Sequence, residues 1–199
     1  KEKYIPPLCR GELISALACT EPAHGSDITR MDTTAVKSGD EWLINGSKTF
    51  ITNVPVANFF NVLCQTDPKA TPPYRGESII IVDRDTRGVD VAQLKDKMGI
   101  RPAVTGEISF SDVKVSEDNL IGELNKGFYY VMGFFDISRI PIAAQAVGMA
   151  QGALERSFNY AKQRAQFGTP IIQFQAIQFK LAEMAVSYTH LRAHETVLD

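Results

Sequence analysis

The apolar period of this 199-residue chain changes once, near Gly127, and that change constrains the fold more than any other feature. Before it, apolar residues alternate in short runs, as with Ile108, Phe110, Val113 and Val115 of GEISFSDVKV. A two-residue repeat places every second side chain on one face of a half-buried strand. After it, DISRIPIAAQAVGMAQGALERSFNYAKQR sets Ala143, Val147, Ala150, Leu154, Phe158 and Ala161 on one stripe, the spacing of an amphipathic helix. Strands followed by helices, with no βαβ unit between them, predict an α+β chain: an antiparallel β-barrel or sandwich, then part of an α-helical bundle. A doubly wound dinucleotide-binding sheet is disfavoured.

Within the β half, TTAVKSGDEWLINGSKTFIT predicts three short strands, split by SGDE and by Asn45-Gly46. Asn-Gly is the strongest short hairpin signal, since both residues tolerate the positive φ of a type I′ turn. NFFNVLCQT and SIIIVD predict two further strands around the Pro/Gly-rich loop DPKATPPYRGE. In the helical half, Pro141 is expected to kink the start of the first helix and FGTP to end it. Pro170 then suits the first turn of a second helix bearing Phe174, Ile177, Leu181 and Met184 on one face. Two long amphipathic helices with so few partners predict an incomplete bundle and poor solubility.

A formal net charge of -2 gives no electrostatic reason to bind nucleic acid or an anionic membrane, and no apolar run is long enough to span a bilayer. Cys9, Cys19 and Cys64 are odd in number and widely spaced, so they form no metal-ligand pair and suit a reducing compartment. The location expected is cytoplasmic, or the mitochondrial matrix if the source is eukaryotic. His190 and His194 stand at i and i+4 with Glu195 beside them, a spacing that can bind metal on a helix. With no third ligand nearby, the expectation is no metal site. The opening KEKYIPPLCRGE lacks an initiator Met, so a piece of a longer protein is expected.

The stretch TEPAHGSD, Thr20 to Asp27, reads in two ways. It is an Asx- or Ser-stabilised turn, or a cradle whose backbone N–H groups and hydroxyl solvate a phosphate. FIT, Phe50 to Thr52, reads as a plain strand end. Asp136 and Arg139 read as a helix salt bridge, and Arg164 as a cation complementing a helix C-terminus.

LACTEPAHGSD, WLINGSKTFITN, MGIRPAVTGEISFSDVKV and RAQFGTPIIQFQAIQFKLAEMA, in that order and spacing, resemble the acyl-CoA dehydrogenase family over about Cys9 to Ala185. The resemblance implies the end of an N-terminal helical domain (1–14), a middle β domain (15–122) and the first half of a C-terminal helical domain (123–185). The tail 186–199 leaves the family pattern, is similar to translated adapter sequence, and is expected to be non-native. FAD is the implied cofactor and acyl-CoA the substrate, with an electron-transfer flavoprotein as electron acceptor and a homotetramer as the assembly. By the same resemblance Leu17, Ala18, Cys19 and Thr20 line the flavin, and Ser26 meets both the FAD phosphate and acyl-CoA. Phe50 lies beside the isoalloxazine with Ile51, and the Thr52 hydroxyl lies near flavin N5. Asp136 and Arg139 contact acyl-CoA, while Arg164, Phe167, Phe174 and Gln175 reach FAD across a subunit boundary.

The chain departs from the family pattern at Cys19, His24, Phe50, Ala103 and Gln166. Some members carry a catalytic Glu just before the helix Arg; here Ser138 stands there, which excludes that variant. The implied reaction is α,β-desaturation of an acyl-CoA thioester, with the base on a Glu of the missing C-terminal region. This chain alone is therefore expected to have little turnover. Competing readings are a flavin monooxygenase or oxidase of the same fold, or a non-catalytic binding fragment.

Overall fold

A computed structural model describes residues 1–193, which fall into two compact units, Lys1–Gly133 and the residues from Phe134 onward. The first opens with a short helix, α1 (Ile5–Cys9), whose Pro6 and Pro7 occupy a first turn where no N–H is needed. Eight strands follow: β1 (Ser15–Ala18), β2 (Thr34–Ser38), β3 (Glu41–Thr52), β4 (Phe59–Gln65), β5 (Glu77–Asp83), β6 (Val89–Leu94), β7 (Thr105–Ser116) and β8 (Leu120–Ile121). They form one sheet in the order β6-β7-β3-β2-β4-β5-β8, with β1 added in parallel beside β4. Pairing is otherwise antiparallel, except where Thr34 of β2 meets Gln65 of β4 in parallel.

Every strand contributes to one apolar cluster, from Ala16 and Ala18 on β1 to Leu120 on β8. Ile44, Val62, Ile80, Ile108 and Val113 at its centre are fully buried. A sheet whose strands all feed one cluster curls around it, which removes apolar surface from water on that face. On β4 and β5 the other face is buried too, with Phe59, Leu63 and Ile79.

The expected Asn45-Gly46 hairpin does not form. β3 runs unbroken through both residues, because the preceding Gly39-Asp40 pair already reverses the chain: Ser38 and Glu41 are paired and Gly39 has a φ of 63°. At Asn45 the partner strand β7 bulges instead, setting Ser111 and Asp112 against one residue. The Asn45 amide fills the gap, accepting from the Asp112 N–H at 2.8 Å and donating to its carboxylate at 3.1 Å. Gly46 answers a different need. A Cβ there would lie 2.5 Å from Thr33 Oγ1 and 2.6 Å from Thr33 Cα, so glycine permits the close approach of the chain leading into β2.

A long helix, α2 (Gly127–Gln163), begins in the first unit, where Val131 is buried and Phe128 packs on Tyr74 with ring centroids 4.6 Å apart. It runs without interruption through Pro141, so that proline sits well inside a helix that starts earlier than its position suggests. Pro141 offers no N–H to the carbonyl of Ile137 four residues earlier, a residue 74% exposed.

In the second unit Val147, Ala150 and Leu154 of α2 are half-buried and Ala161 is buried, while Ala143 and Phe158 of the expected stripe are exposed. A two-residue hairpin follows, β9 (Ala165–Gln166) paired with β10 (Thr169–Pro170) around Phe167 and Gly168, whose φ values of 51° and 73° are those of a type I′ turn. Pro170 thus ends a strand and caps a single 3-10 turn, Ile171–Gln173, rather than entering a helix. The last helix, α3 (Gln175–Ala193), half-buries Ile177, Leu181 and Met184, and the stripe continues to Tyr188, which donates to Gln151 of α2 at 3.2 Å. An apolar groove between α2 and α3 is lined by Leu154, Phe158, Ile172, Leu181 and Ala185. Phe134, Ile137, Ile140, Ile142 and Met149 remain more than half exposed along α2. Among the described residues no helix is long and apolar enough to cross a membrane.

Because Gly46 is enclosed by Thr33, Gly46→Ala forces backbone apart in the sheet; we expect a loss of about 1–3 kcal/mol in urea unfolding, the usual range for overpacking.

Candidate functional site

The centre of the first unit's site is a second bulge, on β3 itself. Lys48 pairs with Ile108 and Ile51 with Gly106, so Thr49 and Phe50 stand opposite Glu107 alone. Thr49 turns inward and its hydroxyl donates to Glu107 at 2.9 Å. Phe50 takes a φ of 57° and turns its ring outward, 69% exposed. A bulky aromatic in the left-handed region is a true outlier, and such residues cost of order 1–3 kcal/mol and persist only where the surroundings enforce them. Ile51 then returns to the core and Thr52 faces out.

The structure brings this bulge against the exit of β1. The Thr49 N–H donates to the Thr20 carbonyl at 2.9 Å, and Lys48 Nζ donates to the Cys19 carbonyl at 3.0 Å and to Glu21 Oε1 at 2.8 Å. Cys19, Thr20 and Glu21 therefore lie against Lys48 and Thr49, the residues just before Phe50, Ile51 and Thr52, as two segments distant in sequence and not paired in the sheet; Leu17 and Ala18 lie on β1. Ser26 is exposed on the loop that follows. That loop is closed at its base by Glu21, whose carboxylate accepts from the N–H groups of Asp32 (2.7 Å) and Thr33 (2.9 Å). Glu21 and His24 exchange backbone hydrogen bonds of 2.8 and 3.1 Å, and Asp27 accepts from the Thr29 N–H and hydroxyl. TEPAHGSD is thus a turn by construction, with a free hydroxyl at its tip.

Charge is concentrated under this loop. Burial opposes ionisation of Glu21, but Lys48 and the hydrogen bonds it accepts outweigh that and hold it below the usual carboxylate range. Glu77 has the opposite fate. Fully buried on β5 with neither carboxylate oxygen hydrogen-bonded, it is pushed up to about 8 by burial against the opposing pull of Lys48. Its register partner Gln65 also has a buried amide oxygen without a donor, which a protonated Glu77 can supply. Burial pushes the Cys19 thiol up to about 11 and that of Cys64 up to about 12, so neither is a nucleophile near neutrality.

Sequence reasoning missed Lys48, Glu21 and Glu77. Lys48 had a signal: it lies in phase with Ile44 on the inward face of β3, and a charge at such a position must be paired. His24, left unexplained by sequence, pairs with Asp32 at 3.2 Å. The ligand atoms of Glu21, His24 and Asp32 lie within 4.8 Å of one another, but Lys48 already neutralises Glu21, which disfavours a cation there. Of the expected His190–His194–Glu195 spacing, His194 and Glu195 lie outside the described residues.

In the second unit Asp136 and Arg139 approach only to 4.0 Å and are both about four-fifths exposed, so the expected helix salt bridge is loose and both charges face solvent. Ser138 donates to the Phe135 carbonyl at 3.0 Å. Arg164 is exposed at the foot of the β9–β10 hairpin, its N–H bonded to the Tyr160 carbonyl and its carbonyl to the Ile171 N–H, both at 2.8 Å. Phe167 at the tip is 96% exposed and meets Phe174 edge-on at 6.4 Å; Gln175, exposed, opens α3. Two outward aromatics, Phe50 and Phe167, are thus both held in strained backbone.

In the first unit the outward Phe50 ring offers apolar contact and the Ser26 and Thr52 hydroxyls offer hydrogen bonds; in the second unit, taken by itself, Arg164 offers a planar, exposed cation. The architecture is that of a β domain followed by part of a helical one. The acyl-CoA dehydrogenase middle domain matches residues 16–113 and the acyl-CoA dehydrogenase C-terminal domain matches residues 125–195. The chain belongs to the acyl-CoA dehydrogenase family, whose members are FAD-dependent flavoproteins. It is 46% identical over 186 residues to cyclohex-1-ene-1-carbonyl-CoA dehydrogenase of Syntrophus aciditrophicus, covering 93% of this chain and 44% of that protein. It is 45% identical over 185 residues to a caffeyl-CoA reductase-Etf complex subunit of Acetobacterium woodii, covering 92% and 48%. The crystal structure of acyl-CoA dehydrogenase from Geobacillus kaustophilus matches with a TM-score of 0.89 and 43% identity, over 98% of this chain and 53% of that one. The chain spans about half the length of the relatives it matches.

Two outcomes follow from this geometry. Phe50→Gly removes the left-handed strain, so the flavin-free protein should gain about 0.5–1 kcal/mol in urea unfolding while its flavin affinity falls. Glu77 keeps its proton in the folded protein up to about pH 8 but loses it near the ordinary glutamate value when unfolded. The folded state therefore binds more protons across that window, and stability declines as pH rises through it. Glu77→Gln should flatten this decline and melt higher than the wild type at pH 8.5.

Proposed function

We propose that this chain carries the flavin- and acyl-CoA-binding part of an FAD-dependent oxidoreductase that acts on the CH–CH bond next to an acyl-CoA thioester. The observation that carries the reading is the junction of Lys48 and Thr49 with Cys19, Thr20 and Glu21, which sets an outward aromatic beside a hydroxyl-bearing loop. FAD, when bound, supplies the two-electron acceptor for the β-hydrogen as hydride. The chain's own residues orient and shield. Phe50 presents an apolar face, Ser26 and the loop N–H groups meet phosphate oxygens, and Arg164, across a subunit boundary, offers a neighbouring copy's FAD a planar cation whose donors match pyrophosphate geometry. Asp136 and Arg139 are assigned to the acyl-CoA, a reading supported by their loose pairing and exposure to solvent.

The α-proton needs a carboxylate base, and Ser138 cannot serve: its hydroxyl is neutral and already donates to Phe135. We assign the base to sequence outside these residues, in keeping with a chain about half as long as its relatives. The reductase relative supports reading the same site in either direction, since a catalyst lowers the barrier for desaturation and for its reverse alike. Its association with Etf supports an electron-transfer flavoprotein as redox partner, and a homotetramer is the assembly we infer.

The longer protein should lose its oxidised-flavin colour on anaerobic addition of a saturated acyl-CoA and regain it with an electron acceptor. Product that forms only with oxygen would instead identify an oxidase or monooxygenase. Ser26→Ala should weaken ligand binding about tenfold, the order expected for one hydrogen bond to a charged phosphate, in a titration of acyl-CoA against the flavin absorbance.

A further inference from the structure

Lys48 and Thr49 stand side by side on β3, immediately before the bulge that turns Phe50 outward. Between them they hold three consecutive residues at the exit of β1: Lys48 Nζ binds the Cys19 carbonyl and the Glu21 carboxylate, and the Thr49 N–H binds the Thr20 carbonyl. β1 pairs with β4, whereas β3 pairs with β2 and β7, so sheet pairing does not itself set the register between these two segments. The restraint continues through Glu21, which accepts from Asp32 and Thr33 and so closes the base of the loop carrying Ser26.

Both charges are buried, with side-chain exposures of 0% and 2%, so their attraction is little screened by water or salt. Lysine is a strongly hydrated cation, and an apolar side chain at this inward position would pack the sheet without any desolvation. Stability of the sheet alone does not call for a lysine here. What the lysine uniquely does is reach one carbonyl and one carboxylate on a neighbouring segment.

Resting on the flavin reading above, we propose that Lys48 is a positioning residue. Acting through Glu21, it holds the Ser26 loop in register with the Phe50 bulge so that both meet one FAD. The test uses the full-length holoenzyme with FAD as the probe, and compares wild type with Lys48→Met and with the charge-neutral double variant E21Q/K48M. The double variant avoids burying Glu21 without its cation, so it carries the test if the single variant fails to fold. We expect the folded double variant to bind FAD at least about tenfold more weakly, the order seen when an outer-shell support is lost. The bound flavin should show shifted absorption bands, and the amides of Asp32, Thr33 and Thr49 should exchange faster while those of Val62 and Ile80 do not. A variant that melts lower yet keeps wild-type FAD affinity and spectrum overturns the proposal and leaves the pair a stability element. Wild-type protein that takes up no FAD would overturn the flavin reading, and this proposal with it, before any variant is compared.

Discussion

The buried ion pair between Lys48 and Glu21 is the interaction on which the first unit's site depends. A charge inside a sheet core is tolerated only when its partner and its remaining hydrogen bonds are supplied. Lys48 finds three acceptors, the Cys19 carbonyl, the Glu21 carboxylate and Met31 sulfur at 3.3 Å. Glu21 in turn finds two backbone N–H groups besides the ammonium. Because every bond must be met at once, the loop between Glu21 and Thr33 has little freedom at its base, while Ser26 at its tip is open to solvent. Rigidity below and exposure above is the arrangement a binding loop needs.

Strain complements this rigidity. Phe50 and Phe167 are both large aromatics at positive φ, one on a bulge and one in a two-residue hairpin turn, and both present their rings to solvent. Neither conformation is favourable by itself; each is enforced by regular pairing on either side, Lys48 and Ile51 in one case and Gln166 and Thr169 in the other. Folding energy from the flanking strands is thus converted into the orientation of a ring. Buried Glu77 is a different departure from the lowest-energy arrangement. Deprived of donors, it is kept neutral by its surroundings, which leaves a single net ion pair, Lys48 with Glu21, in that part of the core.

Much of this was legible in the residues. The change of apolar period near Gly127 predicted strands and then helices, and the SGDE turn, the strands around Phe60 and Ile80 and the alternation in β7 all appear where the pattern puts them. Asn45-Gly46 misled because a dipeptide signal reports only what two residues tolerate. Here the asparagine amide serves a bulge across the sheet and the glycine makes room for Thr33, contacts made by residues far away in sequence. Pro170 misled for a similar reason: its restricted φ suits an extended residue as well as a first helical turn, and the hairpin that decides between them depends on Phe167 accepting a left-handed conformation.

The sequence by itself determined the division into strands and helices, the apolar faces that drive each, and the short motifs that mark a flavin- and acyl-CoA-binding family. These depend on local periodicity and on residue types in fixed order. Only the tertiary structure decided that Lys48 faces Cys19 and Glu21, that Phe50 turns out of the sheet, and that Glu77 lies without a donor. Each of these follows from register between strands, and register is set by the packing of the whole sheet rather than by any segment within it.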